Sequence, residues 1–274
     1  MISDDDRLAA DLAAEAGRRL LALRAAGGAA DELRRAGDRS SHEFLAAELA
    51  RQRPGDAVLS EEGADDLARL SADRVWIVDP LDGTREFGEP GRSDWAVHVA
   101  LWERGELTAG AVALPAQGKV LSTADPAKPP ASPPTVLARG GTTPPDPSAV
   151  LAHGGATPPD PPAVLRLLVS RTRPPEFMTR LAGKLGAELV PLGSAGAKAA
   201  AVICGDAEAY VHSGGQYEWD SAAPVAVAVA SGLHASRIDG SKLSYNQAKP
   251  SLPDILICQA ALADTLLEAI SSVR

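Results

Sequence analysis

The sequence predicts an α+β protein in two halves joined by a proline-rich linker. Three patterns carry that reading. Residues 1–125 show two amphipathic helical stretches followed by five short β-prone runs. Residues 126–162 hold 12 of the chain's 22 prolines and no aromatic residue. Residues 163–274 alternate strand and helix signals. Paired helices followed by consecutive strands make an α+β half, and alternation makes an α/β half. At 274 residues the chain can bury a large core, and a site between two tightly joined halves is the natural place for a ligand.

The first helix is expected over 4–26. Ser3 can cap it, Asp4, Asp5 and Asp6 suit its positive end, and Gly27-Gly28 stops it. Leu8, Leu12, Leu20 and Leu23 share one face. A second helix is expected over about 41–52, with Ser40 and Glu43 spaced as a capping box. Strands follow at 57–60, 74–78, 95–102, 106–114 and 119–123, and Arg104-Gly105 reads as a hairpin turn. The proline-rich stretch contains a tandem repeat, LARGGTTPPDPSAV then LAHGGATPPDPPAV, in which eleven of fourteen positions match. Two such copies are too few for a solenoid and read as a disordered linker. Beyond it, strands are expected at 164–170, 187–192, 207–212 and 254–259. Helices are expected at about 175–185, 195–204, 220–231 and 261–272.

Composition narrows the function. A net charge of −9 argues against binding nucleic acid polymers or anionic membrane. No run approaches the roughly 20 apolar residues of a membrane span, and the acidic start is unlike a secretory signal, so the expected location is cytoplasmic. Cys204 and Cys258 sit among apolar residues and read as buried free thiols. His42, His98, His153, His212 and His234 lack zinc-ligand spacing, and each is expected to be satisfied or exposed.

The chemistry concentrates in WIVDPLDGT, residues 76–84. A buried strand runs straight into Asp79 and Asp82, a cluster of charge that is costly unless a cation sits there. Pro80 fixes the bend between them, and Gly83 lets the backbone approach a ligand. A helix starting near Thr84 would turn free N–H groups toward a phosphate. Together these suit Mg²⁺, which takes a few carboxylates plus water and substrate oxygen. The alternative is an Asp-capped turn with Asp79 solvated. Two more acidic ends, Glu61-Glu62 in LSEEG and Glu218 with Asp220 in GQYEWDSAAP, favour a multi-metal phosphate site. An EF-hand needs acids at alternate positions and a glutamate at position twelve, absent here. Phosphatases with an aspartyl nucleophile use D-x-D-G-T, one residue shorter between the acids.

These motifs resemble the inositol monophosphatase superfamily. WIVDPLDGT is similar to its strand–DPxDGT motif, EWDSAAPVAVAVASG to its second motif, and GSAGAKAAAV (193–202) to the helix start before it. The resemblance implies a layered αβαβα sandwich of the inositol monophosphatase/fructose-1,6-bisphosphatase type. It implies two or three Mg²⁺ per site, held by Glu61, Asp79, Asp82, Asp220 and the carbonyl of Leu81. Gly83 and Thr84 would hold phosphate, and Asp38 would work with Thr84, and with Glu61, to orient and deprotonate the attacking water. A helix cap is the alternative for Asp38. Direct in-line attack, with no covalent phosphoenzyme, is implied.

Arg-Glu-Phe at 85–87 resembles the bacterial bisphosphate nucleotidases, as do Glu218, SRTRPPE (170–176), Lys198 and LSYNQ (243–247). On that likeness Ser194, Lys198, Glu218 and Tyr245 join Leu81, Asp82, Gly83, Thr84 and Asp220 around a small phosphorylated substrate. Val211-His212 departs from the branch, which often carries Pro-Arg there to grip a second phosphate. The expected activity is removal of the 3′-phosphate from adenosine 3′,5′-bisphosphate or its phosphosulfate relative, a step of sulfate assimilation. Hydrolysis of inositol 1-phosphate or fructose 1,6-bisphosphate is the alternative, and a non-catalytic phosphometabolite-binding protein is the alternative of another class. A homodimer is left open.

Overall fold

The computed structural model describes residues 2–128 and 164–274. The proline-rich stretch therefore lies outside the described residues, apart from 126–128, where Ala127 packs against the central core. Helices α1 (Asp4–Ala26) and α2 (Ala30–Gln52) lead into β1 (Ala57–Ser60), β2 (Arg74–Asp82), the short α3 (Thr84–Gly88), β3 (Ala96–Glu103), β4 (Glu106–Leu114) and β5 (Lys119–Ser122). The second half holds β6 (Arg166–Ser170), α4 (Met178–Leu185), β7 (Glu188–Leu192), α5 (Ala195–Ile203), β8 (Ala209–Tyr217), α6 (Glu218–Ala230), β9 (His234–Ser236), β10 (Ser251–Cys258) and α7 (Ala263–Val273).

Two five-stranded sheets result, in the orders β1-β2-β3-β4-β5 and β7-β6-β8-β10-β9. Only β1–β2 is parallel in the first sheet; β6 runs parallel to both β7 and β8 in the second. Helices α1 and α2 cover the outer face of the first sheet around Leu12, Leu45, Trp76 and Trp95. Helices α5 and α6 fill the space between the sheets, where small residues such as Ala199, Ala222 and Ala223 let the layers approach. Helices α4 and α7 cover the second sheet. Five layers alternate as α, β, α, β, α, the expected sandwich.

The element boundaries show where local signals mislead. Helix α2 starts at Ala30, well before the expected 41, so Ser40 and Glu43 lie inside it and form no cap. Gly37 is needed inside it: a Cβ would stand 2.8 Å from the Phe87 ring and 2.9 Å from Leu81. Strand β2 continues through Pro80 to Asp82. Strand β8 runs on to Tyr217, and β9 is not foreseen at all. Cys258 is buried as expected, but Cys204 is exposed, because α5 stops at Ile203 and leaves Cys204 as its C-cap.

Candidate active site

Asp79 and Asp82 come from one strand, and residues three apart on a regular strand face opposite sides. The β2–β3 register resolves this. Asp79 pairs with His98 and Asp82 with Ala96, so β2 carries one extra residue across this interval. Such a bulge re-aims a side chain, and here it turns both acids to one side. The segment is then pinned. The Leu81 N–H donates to Asp79 Oδ1 at 3.0 Å, and Ser41 Oγ donates to the Pro80 carbonyl at 2.7 Å. Gly83 follows at φ +83°, where a Cβ would be strained and would meet Asp94 O and the Ser194 side chain, each at 3.1 Å. Thr84 Oγ1 lies 3.3 Å from Asp38 Oδ1 and 3.1 Å from the Leu81 carbonyl oxygen. Asp38 reaches it from the middle of α2, so it caps no helix.

Oxygen atoms of Asp79, Asp82 and Asp220 lie within 4.8 Å of one another. Asp220 enters from the first turn of α6, where its carboxylate accepts the Tyr217 N–H at 2.6 Å. Glu61 joins at the end of β1. Desolvation, then repulsion by Asp220, pushes the Glu61 carboxyl up to about 7. Burial, then Asp82, pushes Asp220 up to about 6. Asp79 is raised well above its ordinary value by burial and by Glu61, Asp82 and Asp220. This is the electrostatic pattern of a cluster short of positive charge, and a divalent cation with oxygen ligands fits it.

Asp82 differs from its neighbours. Burial raises its pKa, but His98, Lys198 and Ser194 prevail and hold it at about 2. One of its oxygens receives the Ser194 hydroxyl and, at 2.7 Å, the Gly196 N–H at the start of α5. The first half of the chain therefore takes a free N–H in the first turn of a helix of the second. Asp38 is pushed up to about 6 by burial and Glu62, against its bond to Thr84.

Around these groups lies a cavity of about 330 Å³ whose wall includes Glu61, Asp82, Thr84, Ser194, Lys198 and Asp220. Lys198 is buried rather than solvated. Its ammonium donates to the carbonyls of Gly193 and, at 2.7 Å, Ser194, and burial lowers its pKa to about 8. Glu218 and Tyr245 are not on this wall. The Glu218 carboxylate accepts the Asn246 and Gln247 N–H groups at 2.6 and 2.8 Å, and the Tyr245 hydroxyl meets Ser221 at 3.2 Å. Both hold the 243–247 loop against α6.

Three residues take places in the structure that their sequence motifs do not announce. His98 is fully buried, its Nδ1 3.0 Å from the Trp219 carbonyl and its Nε2 3.3 Å from Asp82. Burial works against its charge, yet the Asp82 carboxylate raises its pKa. The signal is a lone polar residue in the apolar run WAVHVALW. His98 lies behind the cavity wall, whereas Glu86 and Arg173 are part of it. Glu86 is buried in an ion pair with Arg171 at 2.6 Å, a contact between halves that no local pattern announces.

Comparisons with known proteins concern the chain as a whole. Residues 7–273 match the model of the inositol monophosphatase family. The 3′-phosphoadenosine 5′-phosphate phosphatase of Mycobacterium tuberculosis is 52% identical over 264 residues, 94% of this chain and 90% of that one. Its counterpart in Mycobacterium leprae is 49% identical over 281 residues, 98% of this chain and 94% of that one. Among solved structures, an IMPase of Thermotoga maritima superposes with a TM-score of 0.71 at 17% identity, covering 99% of this chain and 98% of its own. CysQ from Bacteroides thetaiotaomicron gives 0.68 at 25% identity, covering 92% and 96%.

Proposed function

Because the chain belongs to the inositol monophosphatase family, we propose that it is a Mg²⁺-dependent phosphatase that removes the 3′-phosphate of adenosine 3′,5′-bisphosphate or of the corresponding phosphosulfate. The observation that carries the substrate is the 52% identity, along 94% of the chain, to a phosphatase named for that compound.

Glu61, Asp79, Asp82, Asp220 and the Leu81 carbonyl would hold the cation. When bound, Mg²⁺ supplies positive charge for the phosphoryl oxygens and makes water more acidic. The protein does the rest by position. The Gly83 and Thr84 N–H groups take phosphate oxygens. The Thr84 hydroxyl, within reach of Asp38, orients the attacking water. The water's proton passes by way of Thr84 Oγ1 to the Asp38 carboxylate, whose pKa of about 6 suits a base at neutral pH. Water attacks phosphorus in line, the bond from phosphorus to the ribose 3′ oxygen breaks, and that oxygen takes up a proton from solvent as the alcohol leaves.

The test is phosphate release from a panel of adenosine 3′,5′-bisphosphate, inositol 1-phosphate and fructose 1,6-bisphosphate, with Mg²⁺ and with chelator. The nucleotide should give the highest kcat/KM, and chelator should abolish turnover of all three. A higher kcat/KM on inositol 1-phosphate would replace the substrate assignment. Binding without phosphate release would replace the enzyme with a sensor.

A further inference from the structure

The second phosphate of a nucleoside bisphosphate needs a cation outside the acidic cluster. Lys198 is already committed to two carbonyls. His212 holds the position where the resembling nucleotidases often carry arginine, but it cannot replace that arginine. Its Nε2 lies 2.7 Å from the Gly214 carbonyl, so the proton sits there, and Nδ1 keeps a lone pair that is buried without a partner.

Arg173 stands nearby, on the same cavity wall as His212 and Lys198. It also lines a second, adjoining cavity of about 570 Å³ that includes Arg180 and Arg274. Arg173 and Gly215 belong to both walls. Among the described residues, no carboxylate pairs with the Arg173 guanidinium, whereas Arg171, two residues earlier, is fully engaged. Arg171 donates to Glu86 at 3.1 and 2.6 Å and to Glu89 at 3.2 and 2.9 Å. Its backbone N–H donates to the Leu192 carbonyl at 3.0 Å, and the Arg173 N–H donates to Ser170 Oγ at 3.2 Å. The turn is therefore held while the Arg173 side chain is left exposed and unpaired. Gly215, at φ +74°, keeps the junction open: a Cβ there would stand 3.1 Å from Arg173 Nη1.

We infer that Arg173 binds the second phosphate of the substrate where the two cavities meet, and that Arg171, clamped by Glu86 and Glu89, is the positioning residue that aims it. The inference rests on the nucleotidase reading above. It relocates the phosphate-gripping arginine from position 212 to position 173, so that loss of the first does not entail loss of bisphosphate preference.

The test compares two substrates that share a base and a scissile phosphate. Arg173→Gln should lower kcat/KM for adenosine 3′,5′-bisphosphate about ten- to a hundredfold, and for adenosine 3′-monophosphate by less than about twofold. Calorimetry without turnover should agree: affinity for adenosine 5′-monophosphate falls and affinity for adenosine does not. Arg173→Lys should keep part of the effect, because a point charge still attracts phosphate but cannot grip it bidentately. Arg171→Met should give the same split, and Glu89→Gln, which spares the Glu86 pair, a weaker one if Arg171→Met does not fold. Wild-type protein that leaves the bisphosphate intact sinks the underlying reading and this inference together. Wild-type turnover of the bisphosphate, with Arg173→Gln changing both substrates equally or neither, overturns this inference alone.

Discussion

The carboxylate of Asp82 accepts the backbone N–H of Gly196 at 2.7 Å. An acid of the proposed metal cluster thus also takes a free N–H of the first turn of α5, in the other half of the chain, beside the cap that Ser194 provides. This divides the cluster into a member whose charge the fold welcomes and members whose charge it resists. The two kinds respond oppositely to the same chemical change.

Asp82→Asn should abolish nearly all turnover and also lower the melting temperature. Like-charge repulsion alone would suggest that neutralising this residue leaves stability unchanged or improves it. The structure reverses the sign, since the Asp82 carboxyl is held at about 2, below its ordinary 3.8. Its contribution to stability is complete above about pH 4 and is lost as pH falls through 2. A charged hydrogen bond is worth about 1.5–3 kcal/mol, which at this size corresponds to roughly 3–12 °C. A melt of metal-free protein at pH 7 measures it; an unchanged midpoint would remove this role.

Asp79→Asn should also abolish turnover, but metal-free protein should melt a few degrees higher. Burial and three neighbouring acids raise this carboxyl well above its ordinary value. Its charge therefore costs stability, and that cost grows as pH rises through the shifted value. An amide keeps the acceptor for the Leu81 N–H and removes the charge. Calorimetry should show Mg²⁺ binding weakened, and addition of Mg²⁺ should no longer raise the melting temperature. A lower midpoint without metal would contradict the crowding argument.

The two halves of this site were not equally legible in the sequence. Helix α1 is readable because cap, acidic first turn and glycine stop coincide within one segment. The acids of the cluster are readable because each ends an apolar strand or begins a helix. Placement across the halves is not. Nothing local says that Gly37 belongs inside α2, because the reason is its contact with Phe87 and Leu81. Sequence likewise cannot say that Glu218 spends its carboxylate on two backbone N–H groups, or that Lys198 is held by carbonyls. Which oxygen a side chain meets is decided by tertiary packing, and spacing along one element does not report it.

The pH profile should show an acid limb from Asp38. A base must be deprotonated, so kcat/KM should rise as pH increases through about 6, the value to which burial and Glu62 push this carboxyl. Asp38→Asn should lower the plateau by about a hundred- to ten-thousandfold, the usual worth of a positioned base. The residual activity should lose that limb if Asp38 causes it. A limb that survives unchanged in Asp38→Asn would assign it to the metal ligands instead, whose protons compete with Mg²⁺.

Lys198→Ala should impair every substrate alike. An exposed lysine in this cavity would be expected to read a second phosphate and to spare inositol 1-phosphate. The structure shows a lysine only 3% exposed. Two of its three N–H donors are taken by the Gly193 and Ser194 carbonyls, and it faces the Tyr210 ring at 5.1 Å. The loop it braces carries Ser194, whose hydroxyl is bonded to Asp82. Removing the brace loosens the partner of a proposed metal ligand, and that ligand serves any phosphate ester. Losses of about ten- to a hundredfold are typical when a group supporting a metal ligand is removed. They should be equal for adenosine 3′,5′-bisphosphate and inositol 1-phosphate, and the affinity for Mg²⁺ measured by titration should fall with them. A loss confined to the bisphosphate, with Mg²⁺ affinity intact, would return the selectivity role to Lys198 and weaken the case for Arg173.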